Sequence, residues 1–315
     1  MSDQQSSALV LHAGGAPVRF RLARSLKAAE VGEVMALDER GDVVDPRRSQ
    51  IYGARLWLGA AAIGGLGWAS VATLGGAAFL GPAFFAACVG IMAWESRRLG
   101  DLKRAIALAA AGRRDEAAAA FTALESRRTS PALRATIDYW IGSLSWQRGD
   151  LYEAQRRFEA ALVICRQSRR LDVLRWIVDF SRAQLLAVRG EVERAARLRA
   201  ELDEAPDGDY FRLARMLTDL SIAFHRGSPD RLPEDLYDWA REALEMTRFG
   251  HGLVLLAWAF ATRGDQDMAA HLLREAPERL EASFLAECDP ALHRWMEERR
   301  AEWKLDEPED PYANL

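Results

Sequence analysis

The chain has 315 residues, half of them hydrophobic, and its 42 basic and 46 acidic side chains give it a formal net charge of −4. This length and balance predict one or two folded domains with a hydrophobic core and argue against an intrinsically disordered chain. The three cysteines are too few and too scattered for a disulfide framework or a Cys-x-x-Cys metal site, so we expect a reducing compartment. Nearly all the basic residues are arginine, a bias that we associate with GC-rich bacterial genomes.

Residues 1–55 predict a short cytoplasmic segment of mixed secondary structure. Alternating apolar residues favour short strands over Ala8–Gly14 and Pro17–Ala23, and a helical period favours an amphipathic helix over Arg24–Glu39. The start of the chain has no basic stretch before its short apolar run, so we do not expect a cleaved signal peptide. The segment is too small for us to expect a stable independent domain.

The stretch from Leu56 to Trp94 contains no Asp, Glu, Lys, Arg or His. As one straight helix it would be about 60 Å long, roughly twice the thickness of a bilayer's hydrocarbon core. Helix-breaking residues near its middle, among them Gly75 and Pro82, leave two apolar spans, so residues 56–94 predict a transmembrane helical hairpin. The alternative is a buried hairpin of a soluble protein, because alanine and glycine contribute little to membrane insertion.

Basic residues flank this hairpin at both ends, whereas the turn between its helices carries none. The excess of positive charge predicts that both flanks lie on the cytoplasmic side. We therefore expect a two-pass protein of the bacterial inner (cytoplasmic) membrane with both termini cytoplasmic. The flanking residues are Arg47, Arg48, Arg55, Arg97, Arg98, Lys103 and Arg104.

After the hairpin, a glycine recurs at intervals of 37 to 41 residues, which is typical of a repeat architecture. An apolar helical period precedes each glycine, and an alanine follows five residues after four of the five. We predict that each glycine ends one helix and that the acidic residue after it helps to begin the next. The glycines are Gly112, Gly149, Gly190, Gly227 and Gly264.

The repeat also explains the tripeptide Arg-Gly-Asp, which occurs at 148–150 and again at 263–265. Extracellular adhesion proteins present the same letters to receptors. Here the arginine and aspartate flank a helix-ending glycine on the predicted cytoplasmic side. We therefore interpret both copies as structural and do not expect receptor adhesion.

The best-preserved unit covers residues 135–165 and carries Gly142 in its first helix and Ala154 and Phe158 in its second. This pattern resembles the tetratricopeptide repeat (TPR), a helix–turn–helix unit of 34 residues. Residues 250–276 form a second good copy, and three further copies are approximate. The resemblance covers about residues 96–277 and implies a TPR-like α-solenoid of about five helix pairs, partly degenerate, within residues 95–289.

The approximate copies depart from the family's pattern at identifiable positions. Arg104 in the first copy and Arg199 in the third stand where a large apolar residue is usual. The fourth copy is interrupted after Gly227 by the letters SPDRLPED, and we expect its second helix around Leu236 and Trp239. None of the copies ends with the family's usual proline.

The resemblance also implies a concave groove, lined by the first helix of each pair, that binds peptide segments. The family's clamp for a terminal carboxylate needs lysine, arginine and asparagine at groove positions, and this chain does not supply them. An apolar or amphipathic partner segment is therefore expected, although any one of these aromatic residues could instead belong to the core. The groove positions carried over are Tyr139, Ser143, Trp146, Gln147, Phe180, Gln184, Ser221, Phe224, His225 and Trp258.

The chain then predicts a helix over residues 290–305, which places leucine, tryptophan and methionine among charges, and an acidic tail over residues 306–315. Repeat arrays need a terminal cap for solubility, and we expect this helix to cap the last repeat. The alternative is that it occupies the groove reversibly.

No motif of catalysis, cofactor binding or metal binding occurs in the sequence. The five histidines show no His-Glu-x-x-His motif and no pairing with cysteine at ligand spacing, and there is no P-loop or Gly-x-Ser-x-Gly. Acidic residues outnumber basic ones after residue 94, which disfavours nucleic-acid binding. We expect a protein that is not an enzyme and has no cofactor.

The sequence as a whole predicts an all-α, membrane-anchored interaction scaffold that binds a protein or peptide segment in its TPR-like groove. An alternative is a structural subunit of a membrane complex whose glycine-rich hairpin makes the key contact. The sequence leaves the identity of the partner and the question of self-association open.

Overall fold

The computed structural model describes residues 36–37, 43–44 and 100–306, except 110, 128, 230–231, 247–248 and 281–282. Within these ranges the protein is all-helical apart from one short strand pair. The two predicted N-terminal strands, the hairpin over 56–94 and residues 307–315 of the acidic tail lie outside the described residues. No helix in the described part of the chain is both long enough and apolar enough to span a membrane.

The strand pair joins β1 (Ala36–Leu37) and β2 (Val43–Val44) in antiparallel register, with Ala36 opposite Val44 and Leu37 opposite Val43. The prediction of an amphipathic helix over Arg24–Glu39 is therefore wrong at Ala36 and Leu37, which lie in a strand. β-branched valines favour strands, and pairing with Val43–Val44 prevails over the weak helical period at this point.

Helices follow one another with short turns from residue 100 onward. Three short 3₁₀ turns, Arg169–Leu171, Leu202–Glu204 and Pro277–Arg279, lie between them. The helices are α1 (100–109), α2 (Arg114–Glu125), α3 (Pro131–Gln147), α4 (Leu151–Cys165), α5 (Asp172–Val188), α6 (Val192–Glu201), α7 (Asp209–Arg226), α8 (Leu236–Leu244), α9 (Gly250–Thr262), α10 (Gln266–Glu275), α11 (Phe284–Cys288) and α12 (Pro290–Glu302).

The helices form an array of antiparallel pairs. The first helices of successive pairs contact one another in order, α3 with α5, α5 with α7 and α7 with α9. The second helices α4, α6 and α10 each pack on the first helix of their own pair, whereas α8 packs mainly on α9, the first helix of the next pair. This arrangement is solenoid-like, and it places the first helices in one continuous layer.

The five glycines that the sequence singles out end the first helix of each pair, as predicted. They are the described glycines with positive φ, at values from 69° to 85°, where an L-residue is strained. At Gly149 the glycine N–H donates to the Trp146 carbonyl and the Asp150 N–H donates to the Ser145 carbonyl, both at 2.9 Å. The same two-bond pattern, a Schellman motif, occurs at the other four glycines.

We predicted that the acidic residue after each glycine helps to begin the next helix, and it does so in two of the glycine turns. The side chain of Asp150 accepts a hydrogen bond from the N–H of Glu153, and Asp265 accepts one from the N–H of Met268. Glu191 makes no such cap. Its side chain is one methylene longer, which fits the tight cap geometry less well.

Where the chain departs from the repeat pattern, other contacts stabilise the helices. The Arg199 side chain is largely buried, but Asp219 of α7 lies 2.8 Å from its Nε, so an ion pair replaces the usual apolar contact. The fourth pair has its second helix where the sequence predicted it, with Leu236 and Trp239 buried.

Gly142 is required by close packing, because a β-carbon there would lie 2.8 Å from the Phe158 ring.

The largest hydrophobic cluster joins α7 to α12 and includes the buried residues Leu253, Leu272, Leu285 and Leu292. Helix α12 contacts α9 and α10 and so covers the end of the array. The short helix α11 contacts α3, which belongs to the second pair. The chain therefore turns back across the layer of first helices before it ends.

Candidate functional site

Four residues of the predicted groove come together on the layer of first helices: Trp146, Phe224, His225 and Trp258. The Phe224 ring lies edge-on to Trp258, with centroids 5.6 Å apart, and edge-on to His225 at 5.0 Å. We call the surface formed by these four residues the inner groove. Since α3, α7 and α9 each contribute to it, the groove exists only when the pairs are stacked.

The chain itself occupies this groove. Residues 283–289, which comprise α11 and its flanks and which we call the docked segment, lie against the groove residues. The Trp146 indole N–H donates to the Cys288 carbonyl (Nε1···O 3.1 Å). The backbone also approaches closely at Gly149, where an added β-carbon would lie 2.9 Å from the Glu287 carbonyl oxygen. Backbone recognition of this kind is typical of peptide-binding surfaces.

A buried histidine–aspartate pair holds the end of the docked segment. Nε2 of His225 lies 3.0 Å from Oδ2 of Asp289, and the two side chains are 8% and 1% exposed. Oδ1 of the same carboxylate accepts the N–H of Leu292 at 3.1 Å and so caps α12. One buried carboxylate therefore connects the groove to the terminal helix.

His251 of α9 lies close to this pair. Burial lowers the pKa of the His251 imidazole, and the nearby His225 adds to this effect while Asp289 opposes it. Its Nε2 has no hydrogen-bond partner among the described residues, and its ring lies edge-on to Phe284, with centroids 6.4 Å apart. A neutral His251 therefore presents a mainly aromatic surface to the docked segment.

Arg114 of α2 contacts the other end of the docked segment. Its guanidinium carbon lies 5.2 Å from the centroid of the Phe284 ring, and its Nη1 lies 3.4 Å from the Glu287 carboxylate. The same nitrogen donates to the Gln147 carbonyl at 3.3 Å. Contacts to residues 284–289 thus come from the first, second, fourth and fifth helix pairs.

The other six residues that were predicted to line the groove are not part of the inner groove. Phe180 is 1% exposed and stacks on Phe211 with centroids 6.1 Å apart, and Ser221 is also 1% exposed, so both belong to the core. Gln184 donates to the Thr218 hydroxyl at 3.1 Å. Tyr139 stacks on Phe158, whereas Ser143 and Gln147 are half-buried on α3.

Arg114, His251, Glu287 and Asp289 contact the groove or its occupant but are absent from the sequence-based set. A signal existed for Asp289, because an aspartate before proline predicts a helix start, and Asp289 does cap α12. Its partner His225 is 64 residues away in the chain, so the pairing has no local signature.

The inner groove presents hydrogen-bonding and aromatic groups. No group of three or more potential metal ligands occurs in the described part of the chain. Cys288 is 3% exposed, and burial raises the pKa of its thiol well above the usual range, so it is not a reactive thiolate. The groove offers an indole N–H donor, an imidazole and aromatic faces, which together suit a short peptide segment.

No family model, curated protein or solved structure matches this chain. The fold class of the protein therefore has to be read from its own helices and their contacts. Apart from one short strand pair, the described part of the chain is an all-helical, solenoid-like array of helix pairs in which residues 283–289 cover the layer of first helices.

Proposed function

We propose that the protein is a TPR-like interaction scaffold whose inner groove binds a short segment of a partner protein. The observation that carries this proposal is the docked segment, because Trp146 and His225 hold a segment of the chain itself against the groove. A partner segment with the same chemistry would compete with residues 283–289 for these groups.

The docked segment indicates the kind of partner. Leu285 and Cys288 are 2% and 3% exposed and face the array, whereas Ala286 and Glu287 are exposed. This is one turn of an amphipathic helix with an aromatic residue, Phe284, at its start. The partner segment that we propose is accordingly amphipathic, with apolar anchors on one side of a short helix.

The proposal includes membrane attachment through residues 56–94. The support is the absence of Asp, Glu, Lys, Arg and His over this stretch and the basic residues on both sides of it. An anchored scaffold would raise the effective concentration of the groove near membrane partners. Retention of the protein in carbonate-washed membranes, with a protease-protected C-terminus in intact spheroplasts, is the expected result. If carbonate releases the protein, the proposed membrane anchor is wrong. If protease reaches the C-terminus in intact spheroplasts, the proposed cytoplasmic location is wrong.

Exchange of the docked segment tests the groove directly. A specific protease site inserted between Leu280 and Ser283 would allow residues 283–315 to be severed after folding. A fluorescent peptide of residues 283–306 should then replace the severed fragment with a measurable dissociation constant. If the array unfolds when the fragment leaves, or if the fragment never exchanges, the segment is part of the core and the reversible groove is wrong.

Two tryptophans on the same helix give a matched pair of variants. Trp146→Phe removes the N–H donated to Cys288 and should weaken peptide binding by about two- to tenfold, the worth of a neutral hydrogen bond. Trp140→Phe makes the same chemical change where the ring stacks on Phe121, with centroids 6.0 Å apart, and should leave binding unchanged. Equal effects of the two substitutions would contradict the role given to Trp146.

A further inference from the structure

The docked segment and the surface beneath it differ in charge. Residues 283–289 contain two acidic side chains, Glu287 and Asp289, and no basic one. The array places Arg114 beside the first and His225 beside the second. Charge complementarity of this kind selects among partners, because a like charge or an unpaired polar group in the same place is costly.

The Glu287 end of the segment is open to solvent. Its carboxylate is 40% exposed and lies 3.4 Å from Arg114, and a cavity of about 690 Å³ opens beside it. Exposed ion pairs contribute little, so this end discriminates weakly between occupants. The rim of the cavity carries two further ion pairs, Arg148 with Asp115 and Arg113 with Glu116.

Asp289 differs from Glu287 because it is buried and both of its carboxylate oxygens have partners. Oδ2 lies 3.0 Å from Nε2 of His225, and Oδ1 accepts the N–H of Leu292 at 3.1 Å. A carboxylate accepts hydrogen bonds and donates none, so Nε2 of His225 carries the hydrogen between them. A charged acceptor in a site that excludes water makes the stronger kind of hydrogen bond.

His225 is the array residue that responds to a change at this position. Its side chain is 8% exposed when the groove is occupied, so little water reaches it. An occupant without an acceptor here would leave the Nε2–H group buried and unpaired, which costs more than the bond itself contributes. The neighbouring His251 has a different role, because its ring lies edge-on to Phe284 and burial lowers its pKa.

We propose that the inner groove selects partner segments that carry an internal acidic residue, which takes the place of Asp289 beside His225. The acid is internal because the chain continues beyond Asp289 into α12. The docked segment also gives the spacing, with an aromatic residue at 284, an apolar residue at 285 and the acid at 289. This inference rests on the proposed function and adds the chemistry by which the groove distinguishes one partner segment from another.

Peptide exchange on the folded chain severed between Leu280 and Ser283 tests the proposal. The probes are fluorescent peptides of residues 283–306 with the natural sequence, with Asp289→Asn and with Asp289→Ser. Asparagine and serine still cap a helix, so these changes keep the start of α12 and remove the carboxylate. Each should bind at least tenfold more weakly than the natural peptide. A Glu298→Gln peptide, changed at an exposed position on α12, is the control and should bind as the natural one does.

A variant of the array assigns the selectivity to His225. His225→Phe keeps a ring beside Phe224 but has no N–H group, so the natural peptide should lose its advantage over the Asp289→Asn peptide. If this variant does not fold, the peptide comparison on the unchanged array decides the question.

The possible failures of the proposal differ from one another. Equal affinity of the natural, Asp289→Asn and Asp289→Ser peptides for the unchanged array would overturn the acidic requirement and leave the groove in place. Selectivity that persists in His225→Phe would overturn the role of His225. If none of the peptides exchanges, the reversible groove is wrong and the acidic requirement is rejected with it.

Discussion

Gly149 and Gly190 adopt nearly the same backbone conformation, with φ values of 77° and 80°, but their surroundings differ. Nothing lies within 4 Å of a β-carbon built at Gly190, whereas at Gly149 the Glu287 carbonyl oxygen would lie 2.9 Å away. Both glycines are needed for the left-handed conformation that ends a helix. Only Gly149 is also needed for the approach of the docked segment.

Alanine substitutions separate these two requirements. Gly190→Ala should lower the free energy of unfolding by about 1 kcal/mol, the cost of a left-handed alanine. Gly149→Ala should cost about 1–2 kcal/mol more, because it also presses on the backbone of the docked segment. Urea unfolding followed by circular dichroism measures both. Equal losses would mean that Glu287 is not held against Gly149 in solution.

At the scale of helices, a buried ion cluster joins the first two pairs. The Arg157 guanidinium of α4 contacts Glu125 of α2 at 2.6 Å, Asp138 of α3 at 2.8 Å and Glu153 of its own helix at 2.7 Å. Hydrogen bonds from Arg156 and Arg157 lower the pKa of Glu153 to about 2. Asp138 is 2% exposed, so its charge depends on these partners.

Removal of one member of the cluster should therefore be costly. Asp138→Ala should lower the free energy of unfolding by about 2–3 kcal/mol, because Arg157 and Arg134 each lose a buried partner. Glu116→Ala removes an exposed ion pair with Arg113 on the same array and should cost less than about 0.5 kcal/mol. Chemical denaturation of the two variants gives the comparison. A loss at Asp138 no larger than the loss at Glu116 would contradict the structural role of the cluster.

At the scale of the whole molecule, the docked segment connects helix pairs that are not neighbours. In a simple repeat array each unit contacts only the next, so stability is nearly a sum of local terms. Here Arg114 in the first pair, Trp146 in the second and His225 in the fourth all contact residues 284–289. The array is therefore closed by its own chain, which couples its two ends.

The stability of the molecule should also depend on pH through Glu242 in α8. Burial, with a contribution from Glu245, raises the pKa of this carboxyl from 4.5 to about 7. A raised folded-state pKa means that the native state binds the proton more tightly than the unfolded chain. Stability should accordingly fall as the pH rises from about 4.5 to 7, and the cost should remain in full above pH 7.

Glu242→Gln should remove this dependence. At pH 8 it should raise the free energy of unfolding by about 1 kcal/mol, after allowance for the solvent screening of a half-buried group. At pH 4 the gain should vanish, because the native glutamate is already protonated there. Urea unfolding at both pH values measures the difference, and Glu298→Gln, at an exposed position on α12, serves as the control. A gain at pH 8 no greater than that at pH 4 would show that Glu242 does not carry the effect.

Local features of the fold were predictable from the sequence because they have local causes. A glycine after an apolar helical period predicts a left-handed helix end, and all five occur. Gly142 occupies the small-residue position that the resemblance implies for the first helix of the best-preserved unit, and a β-carbon there would lie 2.8 Å from the Phe158 ring. The prediction over Ala36–Leu37 was wrong because strand pairing with Val43–Val44 is a contact between separated residues. The hairpin prediction over residues 56–94 stays a prediction.

The candidate site was predictable only in part. Trp146, Phe224, His225 and Trp258 were carried over from the resemblance to the tetratricopeptide repeat, and the structure places them on one surface. Phe180 and Ser221 have similar positions but lie in the core, since the next helix covers them. Helix pitch alone does not specify how closely neighbouring pairs pack.

The sequence by itself determined that helices alternate with glycine turns, since these patterns depend on residues within a few positions of one another. Only the tertiary structure decided that residues 283–289 occupy the groove and that Asp289 pairs with His225. Those contacts join residues far apart in the chain and depend on the stacking of several helix pairs. No spacing in the sequence specifies that geometry.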